Sequence, residues 1–146
     1  MSHSIIKAHG ICNLSIVPVR ANASDESEIV SQLLFGDYVT ILKKGTPWIK
    51  IKNNADGYEG WIDFKQLAYI PKNEFDVGTL TKHHVVKQPS IEVESTTGRQ
   101  TLFLGSVLPY LTDHSFKIAN TTYSISSSLS SKELLPHHYA KFYLNT

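Results

Sequence analysis

Cysteine is nearly missing from this sequence: Cys12 stands alone among 146 residues. One thiol excludes an intramolecular disulfide and any zinc site built on several cysteines. Net charge of one sign is missing too. Fourteen Lys and Arg face thirteen Asp and Glu, for a formal net charge of +1. Residues 1–70 carry seven charges of each sign, and residues 71–146 carry seven positive and six negative. Neither half has the basic footprint that a phosphate backbone requires, so nucleic acid is not an expected partner. A polybasic membrane patch is equally unsupported. Long apolar runs are absent, and a transmembrane helix needs about 18 or more such residues, so membrane insertion by a helix is not expected. The opening residues 1–7 lack the roughly 7–15-residue apolar core of a secretory leader. With Met1 native, the expected location is cytoplasmic; with a leader removed, it is periplasmic or extracellular.

What is present is an all-β pattern. Apolar residues make up 41% of the chain, enough for a core. They come in short runs broken by turn residues every eight to twelve positions or so. Residues 11–19 form an extended run ending at Pro18, which lacks an N–H and belongs at a strand edge or end. Residues 28–34 follow a polar loop over 21–27. Gly36-Asp37 breaks the chain before residues 38–42, where Val39 and Ile41 share one face and Tyr38, Thr40 and Leu42 the other. Residues 48–52 alternate again, with Ile49 and Ile51 opposed to Lys50 and Lys52. The turn Asn53-Asn54-Ala55-Asp56-Gly57 contains the strongest hairpin signal in the chain, Asp-Gly, and residues 58–62 form the return strand. Five or six short strands in about 60 residues suggest a small barrel.

A boundary is expected within residues 68–76, where Pro71, Lys72 and Asn73 interrupt the apolar pattern. A second set of strands is expected over 84–86, 91–93, 101–104, 107–111, 115–119 and 122–125. Gly98, Gly105, Asp113 and Asn120 serve as the turns between them. Residues 124–131 are Ser-rich and read as a strand end running into a loop. The tail then changes period: Leu135, Tyr139 and Phe142 recur at helical spacing, and Pro136 suits a first helical turn. A short helix is expected over 136–144.

Residues 10–67 carry a family resemblance. The string Gly10-Ile11-Cys12-Asn13-Leu14-Ser15-Ile16-Val17-Pro18-Val19-Arg20 resembles the opening of a bacterial SH3 (SH3b) domain. It continues as Ser27-Glu28-Ile29-Val30-Ser31-Gln32-Leu33-Leu34-Phe35-Gly36-Asp37. It closes with Trp48-Ile49-Lys50-Ile51 and Asp56-Gly57-Tyr58-Glu59-Gly60-Trp61-Ile62. Four segments in this order and spacing are far more specific than a lone Gly-x-x-Gly-Trp. They resemble the first SH3b domain of NlpC/P60 cysteine peptidases related to dipeptidyl-peptidase VI, which cleave γ-D-glutamyl–diamino acid bonds in cell-wall peptides. Leu104-Gly105-Ser106-Val107-Leu108-Pro109 and Phe116-Lys117-Ile118 resemble the second SH3b domain of the same enzymes. Tyr139-Ala140-Lys141-Phe142-Tyr143-Leu144-Asn145-Thr146 resembles the helix leading into their catalytic domain.

The resemblance implies two tandem SH3-like barrels, over 1–70 and 71–130, then a linker and the start of a catalytic-domain helix over 131–146. The catalytic Cys of the family falls beyond residue 146, so no hydrolysis is expected of the chain itself. Cysteine peptidase chemistry needs a thiolate beside a base, and Cys12, inside the first apolar run, reads as an ordinary core residue. The resemblance also implies that the first SH3b domain roofs the catalytic cleft and recognises the free N-terminal L-alanine of the substrate. Glu28 is the acidic residue of the matching Ser-Glu segment, and Tyr58 heads the matching Tyr-Glu-Gly-Trp segment. These two are the candidate substrate-binding residues. The expected partners are a cell-wall peptide of the L-Ala–γ-D-Glu–diamino acid type and an NlpC/P60 catalytic domain in cis.

Plainer roles compete. Glu28 could be a solvated loop-end residue, with Asp25 or Glu26 serving in its place. Tyr58 could be a half-buried strand aromatic. Arg20 reads as a structural ion-pair or loop-bracing residue rather than a ligand contact, Trp48 and Trp61 as barrel core or rim, and Gly57 and Gly60 as turn and bulge residues. The pairs His83-His84 and His137-His138 diverge, whether on a strand or on a helix, so no metal site and no cofactor are expected. Two other functions compete with a peptidase module. One is a stand-alone SH3b protein that binds cell-wall peptides without cleaving them. The other is an adaptor for Pro-rich peptides, which needs an exposed aromatic groove with an acidic rim.

Overall fold

The computed structural model describes residues 8–126. The expected helix over 136–144, the His137-His138 pair and the end of the Ser-rich stretch lie outside the described residues. The architecture is all-β, as the pattern predicts, with one short α-helix among the described residues. The chain divides into two compact units between Lys82 and His83.

The first unit is one antiparallel sheet of seven strands: β1 (Ala8–Ile11), β2 (Ile16–Arg20), β3 (Ile29–Leu34), β4 (Tyr38–Lys43), β5 (Trp48–Asn53), β6 (Glu59–Asp63) and β7 (Ala68–Ile70). Their spatial order is β3-β2-β6-β5-β4-β1-β7. Alternation puts one face of each strand inward. Val17 and Val19, Leu33, Val39 and Ile41, Ile49 and Ile51, and Ile62 join Cys12 and Leu67 in a single core. A sheet whose strands β2 to β6 all turn one face to a single core has curled on itself, as a small barrel does. Full burial of a side chain such as Leu33 or Ile51 contributes about 1.5–3 kcal/mol each.

Two kinds of local irregularity make the curl possible. The register shifts between Val19 and Arg20 on β2 and between Ile41 and Lys43 on β4, and bulges of this kind sharpen twist. Gly60 supplies the other. A Cβ there would collide with Val19 Cγ1 and stand 2.8 Å from the Arg20 carbonyl oxygen. Only glycine lets β6 approach β2 this closely.

The extended run over 11–19 is two strands rather than one. The chain turns at residues 12–15, where the Cys12 N–H donates to the Asp37 carbonyl (2.8 Å) and the Cys12 carbonyl accepts from Gly36 N–H (2.8 Å). The 68–76 stretch, expected as a boundary, holds β7 and then the helix α1 (Lys72–Leu80). The helix belongs to the first unit. Phe75 packs on His9 at 4.2 Å between ring centroids and meets Tyr38 edge-on at 6.2 Å. Gly78 lies over Tyr38 so closely that a Cβ would stand 2.6 Å from its ring. The compact unit therefore ends later than residue 70, because the helix covers the Tyr38 side of β4.

The second unit holds a four-stranded antiparallel sheet. Its order is β10-β9-β13-β12, built from β9 (Ser90–Ser95), β10 (Gly98–Phe103), β12 (Ser115–Ile118) and β13 (Thr121–Ile125). A two-stranded ladder joins β8 (His84–Val85) to β11 (Val107–Leu108). Ile91, Val93, Leu102, Leu108, Phe116, Ile118 and Tyr123 are buried, and the Phe116 and Tyr123 rings stack at 5.2 Å. Among the described residues, no helix is long and apolar enough to cross a membrane.

Candidate functional site

Glu28 and Tyr58 occupy matching positions on two parallel-running strands. Glu28 immediately precedes β3, and Tyr58 immediately precedes β6. Arg20, at the end of β2, lies opposite Ile29 on one side and Trp61 on the other. Ile29 and Trp61 therefore flank Arg20 two strand spacings apart, or about 10 Å, with Glu28 one residue before Ile29 and Tyr58 three residues before Trp61. Both residues are exposed, Tyr58 to 46%. Neither the Glu28 carboxylate nor the Tyr58 hydroxyl has a hydrogen-bond partner among the described residues. The two side chains share an end of the sheet and do not touch each other.

The loop that carries Glu28 is shaped from its ends. Arg20 Nη1 donates to the carbonyls of Asp25 (2.9 Å) and Ser27 (3.2 Å), the loop-bracing role read from the sequence. Ala21 N–H donates to the Glu28 carbonyl (2.9 Å), and Asn22 N–H to Ser27 Oγ (2.8 Å). Asp25 and Glu26 are exposed on the same loop.

The hairpin that carries Tyr58 is held differently. Asn53, 5% exposed, donates its N–H to the Tyr58 carbonyl (2.9 Å) and accepts from Gly57 N–H (2.8 Å). Its side-chain Oδ1 accepts from Ala55 N–H (2.9 Å), and its Nδ2 donates to Asp37 Oδ2 (3.4 Å). Tyr58 N–H donates to Asp56 Oδ1 (2.9 Å), and Gly57 turns the chain at φ 75°. Asp37 Oδ2 also accepts from Leu34 N–H (2.8 Å). Burial pushes the Asp37 carboxyl above its usual range, against the Leu34 and Asn53 hydrogen bonds that favour the charged form. The sequence reads Asn53 only as a turn residue. An Asn two positions before Ala55 is the signal for a side chain that caps its own turn.

Trp48 and Trp61 are half-buried and lie on the outward face of β5 and β6, opposite Ile49, Ile51 and Ile62. That places them on the rim rather than in the core. Beside the Tyr58 hairpin, Thr40, Lys52, Asn54, Gly57, Glu59 and Phe75 line an open groove of about 540 Å³, together with Leu42. Neither Glu28 nor Tyr58 lines it.

Cys12 is fully buried, and burial pushes its thiol up to about 12. A thiol in that state is not a nucleophile at neutral pH. His84 pairs with Leu108 in the β8–β11 ladder, and His83 Nδ1 accepts from Tyr110 N–H (3.2 Å). No group of three or more His, Cys, Asp or Glu that could hold a metal ion occurs among the described residues.

Comparison with known proteins agrees with this reading of the first unit. Residues 19–67 match the family described as the bacterial dipeptidyl-peptidase SH3 domain, and the match spans both Glu28 and Tyr58. No match was found among curated proteins. Among solved structures, the fold resembles an NlpC/P60 family protein from Bacillus cereus ATCC 10987, with a TM-score of 0.61 and 17% sequence identity. The similarity covers 81% of this chain and 54% of that one, so the chain spans about half the length of that protein. Over residues 19–67 the chain therefore matches the bacterial dipeptidyl-peptidase SH3 domain, and its fold is similar to that of an NlpC/P60 family protein.

Proposed function

We propose that this chain is the non-catalytic SH3b region of a bacterial cell-wall peptide hydrolase. In this reading its first unit recognises the free N-terminal L-Ala of an L-Ala–γ-D-Glu–diamino acid peptide. An NlpC/P60 cysteine peptidase domain in cis performs the cleavage. Residues 83–126 belong to the second SH3b-like module. The observation that carries the proposal is the family match over 19–67, which includes both candidate residues. Their chemistry supports it. The substrate's ammonium needs a negative charge and an oxygen acceptor. Glu28 offers a carboxylate and Tyr58 a hydroxyl, at one end of the sheet and without protein partners. A charge-assisted hydrogen bond to the ammonium is worth about 1.5–3 kcal/mol. Within the chain, the one cysteine is buried in the core and supplies no thiolate for hydrolysis.

Titration with the free tripeptide and its N-acetylated form tests recognition. The free peptide is expected to bind and the acetylated one to fail. Glu28→Gln is expected to weaken binding roughly tenfold or more, with Tyr58→Phe a smaller loss. Equal binding of both peptides overturns the role of the ammonium. The gene tests the peptidase half. A reading frame that continues past codon 146 into an Asp-Cys-Ser-Gly elbow supports it. A stop codon there overturns it and leaves a stand-alone peptide-binding module.

A further inference from the structure

The Tyr58 side chain is free, but its backbone is clamped on both sides. Its N–H is held by Asp56 Oδ1 (2.9 Å) and its carbonyl by the Asn53 N–H (2.9 Å). Asn53 in turn gathers the hairpin tip: its carbonyl takes Gly57 N–H (2.8 Å) and its Oδ1 takes Ala55 N–H (2.9 Å). Its remaining group, Nδ2, leaves the hairpin and reaches Asp37 Oδ2 in the β3–β4 turn. That turn is fixed by its own bonds. Asp37 Oδ2 accepts from Leu34 N–H (2.8 Å), and the Asp37 carbonyl accepts from Cys12 N–H (2.8 Å). A second tie runs beside it, from Asn54 N–H to the Tyr38 carbonyl (2.9 Å). The tip of a two-stranded hairpin is ordinarily among the least ordered parts of a fold. Here a buried amide bolts it to a turn sixteen residues earlier in the chain.

We infer that Asn53 and Asp37 are positioning residues for Tyr58, presetting the backbone from which the phenol projects so that a ligand does not have to order the hairpin tip. The inference rests on the proposed role of Tyr58 for its functional consequence, and on the hydrogen-bond geometry alone for the positioning. Losing the preset leaves the ligand to order the hairpin tip as it binds, and is expected to weaken binding by a factor of about three to ten. Loss of a hydrogen bond that served stability alone would lower the unfolding midpoint and leave the Tyr58 environment of the folded protein unchanged.

The test is fluorine NMR of the 146-residue chain with 3-fluorotyrosine, the Tyr58 line being assigned by its loss in Tyr58→Phe. Asn53→Ala is expected to shift or broaden the Tyr58 line while the Tyr69 line, from β7 of the same unit, stays in place and reports that the first unit is folded. Asn53→Asp, which sets a carboxylate against Asp37, is expected to do the same, and the double variant Asn53→Asp with Asp37→Asn to restore the line by remaking a donor–acceptor pair. An unchanged Tyr58 line in folded Asn53→Asp, or no recovery in the double variant, overturns the positioning role. The tripeptide L-Ala–γ-D-Glu–diamino acid separates the two readings. If it never perturbs the wild-type Tyr58 line while the Asn53 variants do, the recognition role of Tyr58 falls and the positioning role stands. If it binds Asn53→Asp and wild type equally, the preset contributes nothing to affinity and the inference falls while recognition stands.

Discussion

The two units solve the same problem, turning the chain from one strand into the next, with different materials. The first unit places glycine at its tight positions: Gly36 at φ 88° and Gly57 at φ 75°. It ties its turns with side-chain bonds from Asp37, Asn53 and Arg20. The second unit has its own positive-φ glycines, Gly98 at 128° and Gly105 at 96°, and adds three non-glycine residues, Tyr110, Asp113 and Ala119, with φ between 52° and 56°. Each such residue costs about 1 kcal/mol or more against glycine. The cores differ too. The first is aliphatic and continuous around one curled sheet, whereas the second includes a stacked aromatic pair. The family match falls wholly within the first unit. The unit with the less strained backbone also carries the candidate recognition residues, as expected when a site needs its supports fixed before a ligand arrives.

The sharpest way to break this contrast is at the point where β6 crosses β2. Gly60→Val forces a branched side chain against Val19 and the Arg20 carbonyl, and is expected to cost about 3 kcal/mol. Both tryptophans of the chain, Trp48 and Trp61, lie in the first unit, so the denaturant midpoint seen by tryptophan fluorescence reads this unit selectively. An unmoved midpoint would show that the close approach is not needed.

The next effect is alkaline. Cys12 ionises near 9 in the unfolded chain and near 12 in the fold. The unfolded state therefore releases its proton first, and stability is lost as pH rises from 9 toward 12, by about 1.4 kcal/mol per unit. Cys12→Ala or Cys12→Ser is expected to flatten that slope in a pH series of the same fluorescence transition. Iodoacetamide is expected to label Cys12 only when the first unit opens.

Ala119→Gly then probes the second unit. Glycine at φ 52° removes the left-handed penalty, and a gain of up to about 1 kcal/mol is expected. Slower amide exchange across β12 and β13, with no change in the tryptophan transition, is the expected signature. Faster exchange there would mean that the Ala119 methyl packs better than its backbone strains.

The smallest effects are acidic and opposite in sign. Burial, reinforced by Lys87, holds the His84 imidazole below its usual range. The unfolded state then binds more protons below about 6.5, so the second unit weakens as pH falls through that window. Asp37 is raised, so the folded state binds the extra proton just above the usual aspartate range. The first unit accordingly gains as pH falls toward 4. Amide exchange measured in β3 and in β8 between pH 7 and 4 is expected to diverge in these directions. Parallel behaviour would remove one of the two groups as a determinant.

Much of this fold was legible before the structure. The alternation of Val39 and Ile41, and of Ile49 and Ile51, marks their strands, because each faces the core on one side only. What escaped depends on distant partners. Helix α1 has no apolar stripe to read: Val77 and Leu80 are 58% and 88% exposed, and Gly78 is its one fully buried residue. It is fixed by Phe75 on His9, more than sixty residues earlier in the chain. Likewise, the break between β1 and β2 is set by Gly36 and Asp37, not by residues 12–15 themselves. Glu28 and Tyr58 were legible only through resemblance, since nothing in their spacing distinguishes them from solvated residues. Asn53 reads as one more polar turn residue until Asp37 is seen beside it.

Arg20 holds the loop over 21–28 by main-chain carbonyls, those of Asp25 and Ser27, and not by their side chains. A grip on the backbone does not depend on which residues the loop displays. The side chains at 25 and 26 are therefore open to exchange while the loop keeps its shape. This makes the segment beside Glu28 a natural place for related proteins to diversify, or for a designer to graft new recognition groups onto an unaltered barrel.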